Sequence, residues 1–421
     1  MNVVDLVDAE RATAGGKAAP LAQLTRAGFN VPEGFVVPAG IYRAAATALR
    51  LSERTDDAED ARSRILRSRL PVSVVDDVSR ALRQLTADAP TDYVAVRSSS
   101  TAEDGAHASA AGQHDSVLAA RGADQVCQAI ITCWASLWTQ RAVAYRAHQR
   151  RRAPADMAVL VQRFVDPRVS GILFTGTTSV IEASWGIGER LVGGHTTPDF
   201  WRVKDDGVVE RRPGLKTMRT DRRDGQLITR PTGLTEQNEL CLSDDEVLRL
   251  RALGEEVSAT SGGPRDIEWA MTEDTTWVLQ ARPVTAAVPE SPARSSTAPS
   301  DVITTGTPAS PGIASGPVRL VRGPGDFSRV ERGDVLVCRH TDPAWTPLFT
   351  IASAVVTEVG GVLSHAAIVA REVGIPAVLS VLRATEILTP STVVVVDGTT
   401  GHISREMKAG SLWVSPERSP R

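Results

Sequence analysis

From Ala286 to Ser300 the chain reads AAVPESPARSSTAPS, a stretch dominated by Pro, Ser and Ala and without apolar periodicity. Such a segment has too little apolar surface to join a core, and its prolines favour extended backbone. The chain on its two sides must therefore fold as separate units. The 421 residues also exceed what one ordinary core accommodates. We expect a large N-terminal unit over 1–285, a flexible linker over 286–304, a compact unit over 305–405 and a polar tail over 406–421. A weaker seam is expected near residue 178, between VSGILFTG and IEASWGIGE.

Both units mix helix and strand patterns, so the fold class is α/β (α+β). AAPLAQLTRAG carries apolar residues at helical spacing and ends in Gly28, a C-terminal stop. DYVAVRSSS reads as a short buried strand running into a polar loop, and MAVLVQRFV and TWVLQARPV read as strands. The stretch ADQVCQAIITCWASLWTQRAVAYRAHQR predicts one long helix, with Trp134, Leu137, Trp138 and Val143 roughly on one face. The C-terminal unit holds the short strands GPVRLV, DVLVCR, SAVVTE and TVVVVDG around a helix that begins near His365.

A net charge of −3 offers no basic surface to nucleic acid or to membrane headgroups. The acidic N-terminus lacks the apolar run of a signal peptide, and no stretch is apolar enough to span a bilayer. The expected location is cytoplasmic. Four cysteines without metal-ligand spacing are expected to be reduced and mostly buried. Lysine occurs only at Lys17, Lys204, Lys216 and Lys408, so a lysine beside glycines draws notice.

His365 lies in GGVLSHAAIVAREVGIPAV. A lone histidine opening an apolar helix is as a rule structural. Its neighbours point further. Gly360 and Gly361 allow φ > 0 and close backbone approach. Ser364 is placed to cap the helix. The N-terminus of that helix would favour an anion, phosphate included. A near-neutral imidazole beside an anion site suits attack on phosphorus. Arg371, two turns further on, reads as part of a solvated helix face.

TEVGGVLSHAAIVAREVGIPAV resembles the phosphohistidine swivelling domain of phosphoenolpyruvate synthases, pyruvate phosphate dikinases and rifampin phosphotransferases. GTPASPGIASGPVRLV resembles the start of the same domain, so the likeness covers about 305–405. It implies that His365 is the phosphorylated histidine. Ser380 departs from the glycine common in the family, and little consequence is expected.

The N-terminal unit supplies a candidate donor site. In AGGKAAPLAQL, Lys17 sits on a glycine loop leading into a helix and would present a point charge to phosphates. Taken alone it is equally a surface lysine. In VAVRSSSTAEDGAHASAAGQHDSVL, Arg97 follows a strand and precedes hydroxyls and small residues that would let backbone amides cover phosphates. In RDIEWAMTEDTTWVLQARPVT, Glu268, Gln280 and Arg282 would share one face of a hairpin. Their oxygens suit Mg²⁺ and the arginine suits a triphosphate. Spacing alone favours an ordinary charged hairpin.

These segments resemble the ATP-grasp nucleotide-binding domain of the same families. The resemblance implies phosphate contacts by Lys17, Arg97 and Arg282, a glycine-rich loop over the nucleotide at Gly112 and Ser116, and a place near adenine for Gln162. It implies Mg²⁺ ligation by Glu268 and Gln280. IEASWGIGE also resembles a family segment, with Glu182 as a weaker candidate site residue. Ala110 replaces an aromatic common in the family.

Together these features imply an AMP-forming, dikinase-type phosphotransferase using ATP and Mg²⁺, with His365 as carrier and a small-molecule acceptor. No recognisable acceptor domain accompanies them. One alternative is therefore a phosphohistidine donor subunit whose partner chain holds the acceptor site. Others are a non-catalytic nucleotide-binding regulatory protein and, less well matched, a carboxylate ligase, which has no use for His365.

Overall fold

The computed structural model describes residues 2–52, 57–89, 91–101, 114–148, 156–286, 288 and 301–406. Among these residues the strands form four sheets. The first runs in the order Val4–Asp5, Gly34–Val37, Met157–Arg163, Tyr93–Ser100, Ser116–Arg121, antiparallel throughout. Strand alternation divides its faces. Val94, Val96, Val159 and Val161 enter a core beneath the helices Ala39–Ala48, Ala58–Leu66, Val72–Thr86 and Gly122–Ala135. Ala95, Arg97 and Gln162 face the other way, into a cavity.

The second sheet is antiparallel in the order Thr276–Pro283, Arg265–Met271, Val169–Phe174, Ser179–Trp185, Asp199–Lys204, Gly207–Arg212. One of its faces packs against the helices Arg11–Arg26 and Asp244–Ser261 through Leu173, Ile181, Ile267 and Trp269. The turn near residue 178 joins two of these strands, which pair from Phe174↔Val180 to Val169↔Trp185. The expected seam is thus a hairpin turn inside one sheet. A two-stranded ribbon, Met218–Arg223 with Gln226–Pro231, lies beside it.

The C-terminal unit is built on an eight-stranded sheet. Its centre is parallel, from Ile313–Leu320 through Val335–Cys338 and Ala354–Thr357 to Ala377–Leu379. The helix His365–Val373 crosses between the last two of these strands, and its apolar side closes over the sheet. The same core takes in Ile172, Phe174, Val180 and Phe200 from the second sheet, so the two units are packed together. The linker over 286–304 falls mostly outside the described residues.

Two local expectations change or hold for visible reasons. The stretch after Gly122 is two helices, Gly122–Ala135 and Gln140–His148, separated by a 3-10 turn and an extended Thr139 (ψ 148°). The Ser136 and Thr139 hydroxyls donate to the carbonyls of Cys133 and Ser136, at 2.7 and 2.9 Å, and compete with helix propagation. Gly28 does stop its helix as expected: it is left-handed (φ +88°), and Phe29 N–H reaches back to the Leu24 carbonyl. All four cysteines are free and three are buried. No helix of the described residues is long and apolar enough to cross a membrane.

Candidate active site

A cavity of about 580 Å³ lies between the first two sheets. Lys17, Arg97, Ser116, Gln162, Glu268, Gln280 and Arg282 all line it. Six of these seven belong to strands that bring their side chains there by period-2 alternation. Lys17 arrives differently. The helix Arg11–Arg26 is interrupted at Gly15 (φ +80°, ψ −174°), and a fresh helical segment starts beside Lys17. A Cβ on Gly15 would lie 2.2 Å from the Ser99 carbonyl oxygen, so only glycine fits. Ser99 Oγ then accepts from the Lys17 and Ala18 amides at 3.1 and 3.2 Å. Gly112 and Ala110 lie outside the described residues.

The hairpin Arg265–Met271/Thr276–Pro283 sets the charged end of the cavity. Glu268 pairs with Gln280 and Asp266 with Arg282, so all four side chains share a face. A bulge shifts the register beyond Glu268, and Leu279 has no cross-strand partner. The freed Leu279 carbonyl accepts from Arg97 Nη1. Arg97 Nη2 donates to Glu268 Oε2 at 3.2 Å and Gln280 Oε1 at 2.9 Å. Two hard oxygens therefore converge on one cationic nitrogen, and that donor set fits a small divalent cation completed by phosphate oxygens. Arg282 is braced by Asp266, with Nε to Oδ2 at 2.7 Å. Gln162 donates to the Pro32 carbonyl at 2.9 Å, which orients its amide at the cavity wall.

His114 and Arg141 also line the cavity, and no motif or spacing had marked them. Burial, helped by the charge of Lys17, pushes the His114 imidazole down to about 3. Arg141 lies in the first turn of the helix Gln140–His148 and pairs with Asp115.

His365 is buried at the first turn of its helix. Neither ring nitrogen has a hydrogen-bond partner among the described residues. Burial, with the nearby charges of Arg282 and Arg141, pushes its pKa down to about 4, so the ring is neutral at physiological pH. Both of those arginines line the cavity, so His365 lies near its charged end. Ser364 occupies the N-cap position without capping; its hydroxyl donates to the Gly361 carbonyl at 2.7 Å.

The side-chain contacts correct two expectations. Arg371 is not on a solvated face. It is half-buried, desolvation lowers its pKa to about 10, and Nη1 donates to the carbonyls of Ala309 and Val362. The helix packs this side against the strand Thr307–Ser310, which sequence periodicity did not show. Glu182 is not among the residues that line this cavity. It points across the seam between the units, where Oε1 and Oε2 accept from the Val362 and Leu363 amides at 2.6 and 3.0 Å. Burial raises its carboxyl to about 7, against the opposing pull of those two amides.

Residues 11–300 match the family model described as pyruvate phosphate dikinase, AMP/ATP-binding domain. Residues 330–401 match the one described as PEP-utilising enzyme, mobile domain. A probable phosphoenolpyruvate synthase of Methanothermobacter thermautotrophicus is 36% identical over 415 residues, covering 92% of this chain and 60% of that protein. A probable phosphoenolpyruvate synthase of Archaeoglobus fulgidus is 37% identical, covering 92% of this chain and 55% of that protein. The phosphoenolpyruvate synthase of Aeropyrum pernix is 35% identical, with shares of 92% and 55%. The chain thus spans a little over half the length of these relatives. With a cavity between two antiparallel sheets and a histidine-bearing unit docked beside it, this chain belongs to the pyruvate phosphate dikinase and phosphoenolpyruvate synthase family and carries its ATP-grasp domain and its mobile domain.

Proposed function

We propose that the chain is an ATP-dependent, dikinase-type phosphotransferase. ATP binds in the cavity with its phosphates toward Lys17, Arg97 and Arg282. Neutral His365 attacks the β-phosphorus through a ring nitrogen; the bond from that phosphorus to the α-phosphate oxygen breaks, and AMP leaves with the electron pair. The pyrophosphohistidine loses its outer phosphoryl group as phosphate when water attacks, or as pyrophosphate when phosphate attacks. The remaining phosphohistidine delivers its group to a small-molecule acceptor after the carrier unit moves away. Glu268 and Gln280 are the residues that would hold Mg²⁺, which supplies charge to offset the transferring phosphate oxygens.

One observation carries this reading: a buried imidazole with both nitrogens unpartnered among the described residues, within reach of the arginines that line the cavity. A histidine kept for packing would satisfy at least one nitrogen, because buried polar groups are as a rule hydrogen-bonded.

The test is incubation with Mg²⁺ and ATP labelled at the β- or γ-phosphorus, beside His365→Ala. Acid-labile, base-stable β-label with release of AMP, both lost in the variant, is the expected result. ATP binding without label or AMP would overturn it in favour of a regulatory nucleotide-binding role. Pyruvate is the first acceptor to try, since the relatives are named phosphoenolpyruvate synthases. A labelled chain that discharges only when a second protein is added would place the acceptor site on a partner.

A further inference from the structure

The loop Gly360–Ser364 that leads into His365 is held from two sides. On its own side, Arg371 Nη1 donates to the Val362 carbonyl at 2.8 Å. From the nucleotide unit, the Glu182 carboxylate accepts both the Val362 and the Leu363 amides. Glu182 is 2% exposed, on the strand Ser179–Trp185, whose nearby residue Val180 enters the apolar core shared by the two units. The approach is tight: a Cβ on Gly361 would lie 2.2 Å from Glu182 Oε2. Gly360 is left-handed at φ +122°, which turns these successive amides toward the carboxylate. Further side-chain contacts cross this seam among the described residues, Thr197 Oγ1 to Ser380 Oγ at 3.2 Å and Thr285 Oγ1 donating to Glu372 Oε1 at 2.8 Å, but neither engages the loop amides.

We infer that Glu182 is a positioning residue for phosphorylation of His365, a bidentate clasp that fixes the histidine loop against the nucleotide unit. The inference rests on the phosphohistidine chemistry proposed above. Two bonds from adjacent amides to one carboxylate set both the distance and the rotation of the loop. Those amides lie two and three residues before His365, with Arg371 stiffening the loop from behind. A reacting nitrogen held this way is pre-oriented toward the cavity, and a small misplacement of such a group costs about 100-fold in rate. The clasp also releases cleanly. When the carrier unit swings away, both amides and the carboxylate pass into water, where each finds new partners.

Two substitutions break the clasp by different means. Glu182→Gln keeps the shape, but its amide group can accept only one of the two N–H bonds. Gly361→Ala leaves the carboxylate intact and pushes it off the loop. In single turnovers at saturating ATP, both are expected to label His365 about 10- to 100-fold more slowly than the parent chain. The Kd for ATP should stay within about twofold, and discharge of already phosphorylated protein should be unaffected. Hydrogen exchange of the 360–364 segment, without nucleotide, should accelerate in both variants.

Labelling at the parental rate in both variants, with exchange unchanged, would overturn the inference. So would a rate loss that only tracks loss of ATP binding, the mark of a general structural defect. If the parent chain itself takes no label, the phosphohistidine reading fails first, and exchange of the loop still reports whether Glu182 clasps it.

Discussion

Ser380 occupies a left-handed conformation, φ +56°, at the position where the resemblance leads one to expect glycine. An L-residue there is strained by roughly 1–2 kcal/mol. Its hydroxyl donates to the Gly360 carbonyl at 2.7 Å, a bond worth about 1 kcal/mol. The two effects are of similar size and opposite sign. Ser380→Gly should therefore change stability by less than about 1 kcal/mol. Ser380→Ala keeps the strain and loses the bond, and should cost about 1–2 kcal/mol. Equilibrium denaturation of the two variants checks this, and a larger loss for glycine than for alanine would refute it. The departure was visible in the sequence; the hydroxyl that offsets it was not, because Ser380 and Gly360 meet only through the fold.

The hairpin that carries Glu268, Gln280 and Arg282 was legible as an element, since alternation over TWVLQARPV already assigns Gln280 and Arg282 to one face. The bulge at Leu279 was not. It depends on cross-strand register, and it is what frees a carbonyl for Arg97. Glu182 and Arg371 were misplaced for the same kind of reason, since each meets its partners across a contact between distant segments. The break at Thr139 was missed because apolar spacing runs straight through it while the hydroxyls do not. The Asp266–Arg282 pair gives the hairpin its own prediction. Both members are buried, so Arg282→Met removes one half of a buried ion pair and should cost about 3 kcal/mol. Adding Asp266→Leu should recover most of that stability. ATP binding, in contrast, should be weakened about tenfold or more in the single and the double variant alike, because the phosphate contact proposed for Arg282 would be absent from both. Thermal unfolding and a nucleotide titration separate the two effects; recovery of ATP binding in the double variant would show that Arg282 serves only the fold.

Across the whole molecule, the seam between the units concentrates shifted groups. His195 and His340 come from opposite sides of it, with ring centroids 4.3 Å apart. Burial lowers the pKa of both, that of His195 to about 4, and Arg190 lowers both further while Asp342 opposes. His365 lies on the same seam at about 4. For each, the unfolded chain takes a proton near pH 6.5 that the folded chain refuses until the pH is lower. Between those values the unfolded state binds more protons, so stability falls as the pH falls. For His365 alone the loss at pH 5 is about 2 kcal/mol, at ~1.4 kcal/mol per unit below 6.5. Glu182 runs the other way. Its folded carboxyl, raised from 4.5 to about 7, holds a proton that the unfolded chain gives up, so its contribution is full at low pH and lost as pH rises through that window. Three histidines against one carboxyl leave a net acid lability. Melting temperature should therefore drop between pH 7 and pH 5. The drop should be shallower in His365→Gln, which removes a group that resists protonation, and steeper in Glu182→Gln, which removes the opposing one. A parental profile that is flat or rises toward pH 5, with His365→Gln superimposed on it, would mean that the histidine is not buried at this seam in solution and that the two units do not rest together.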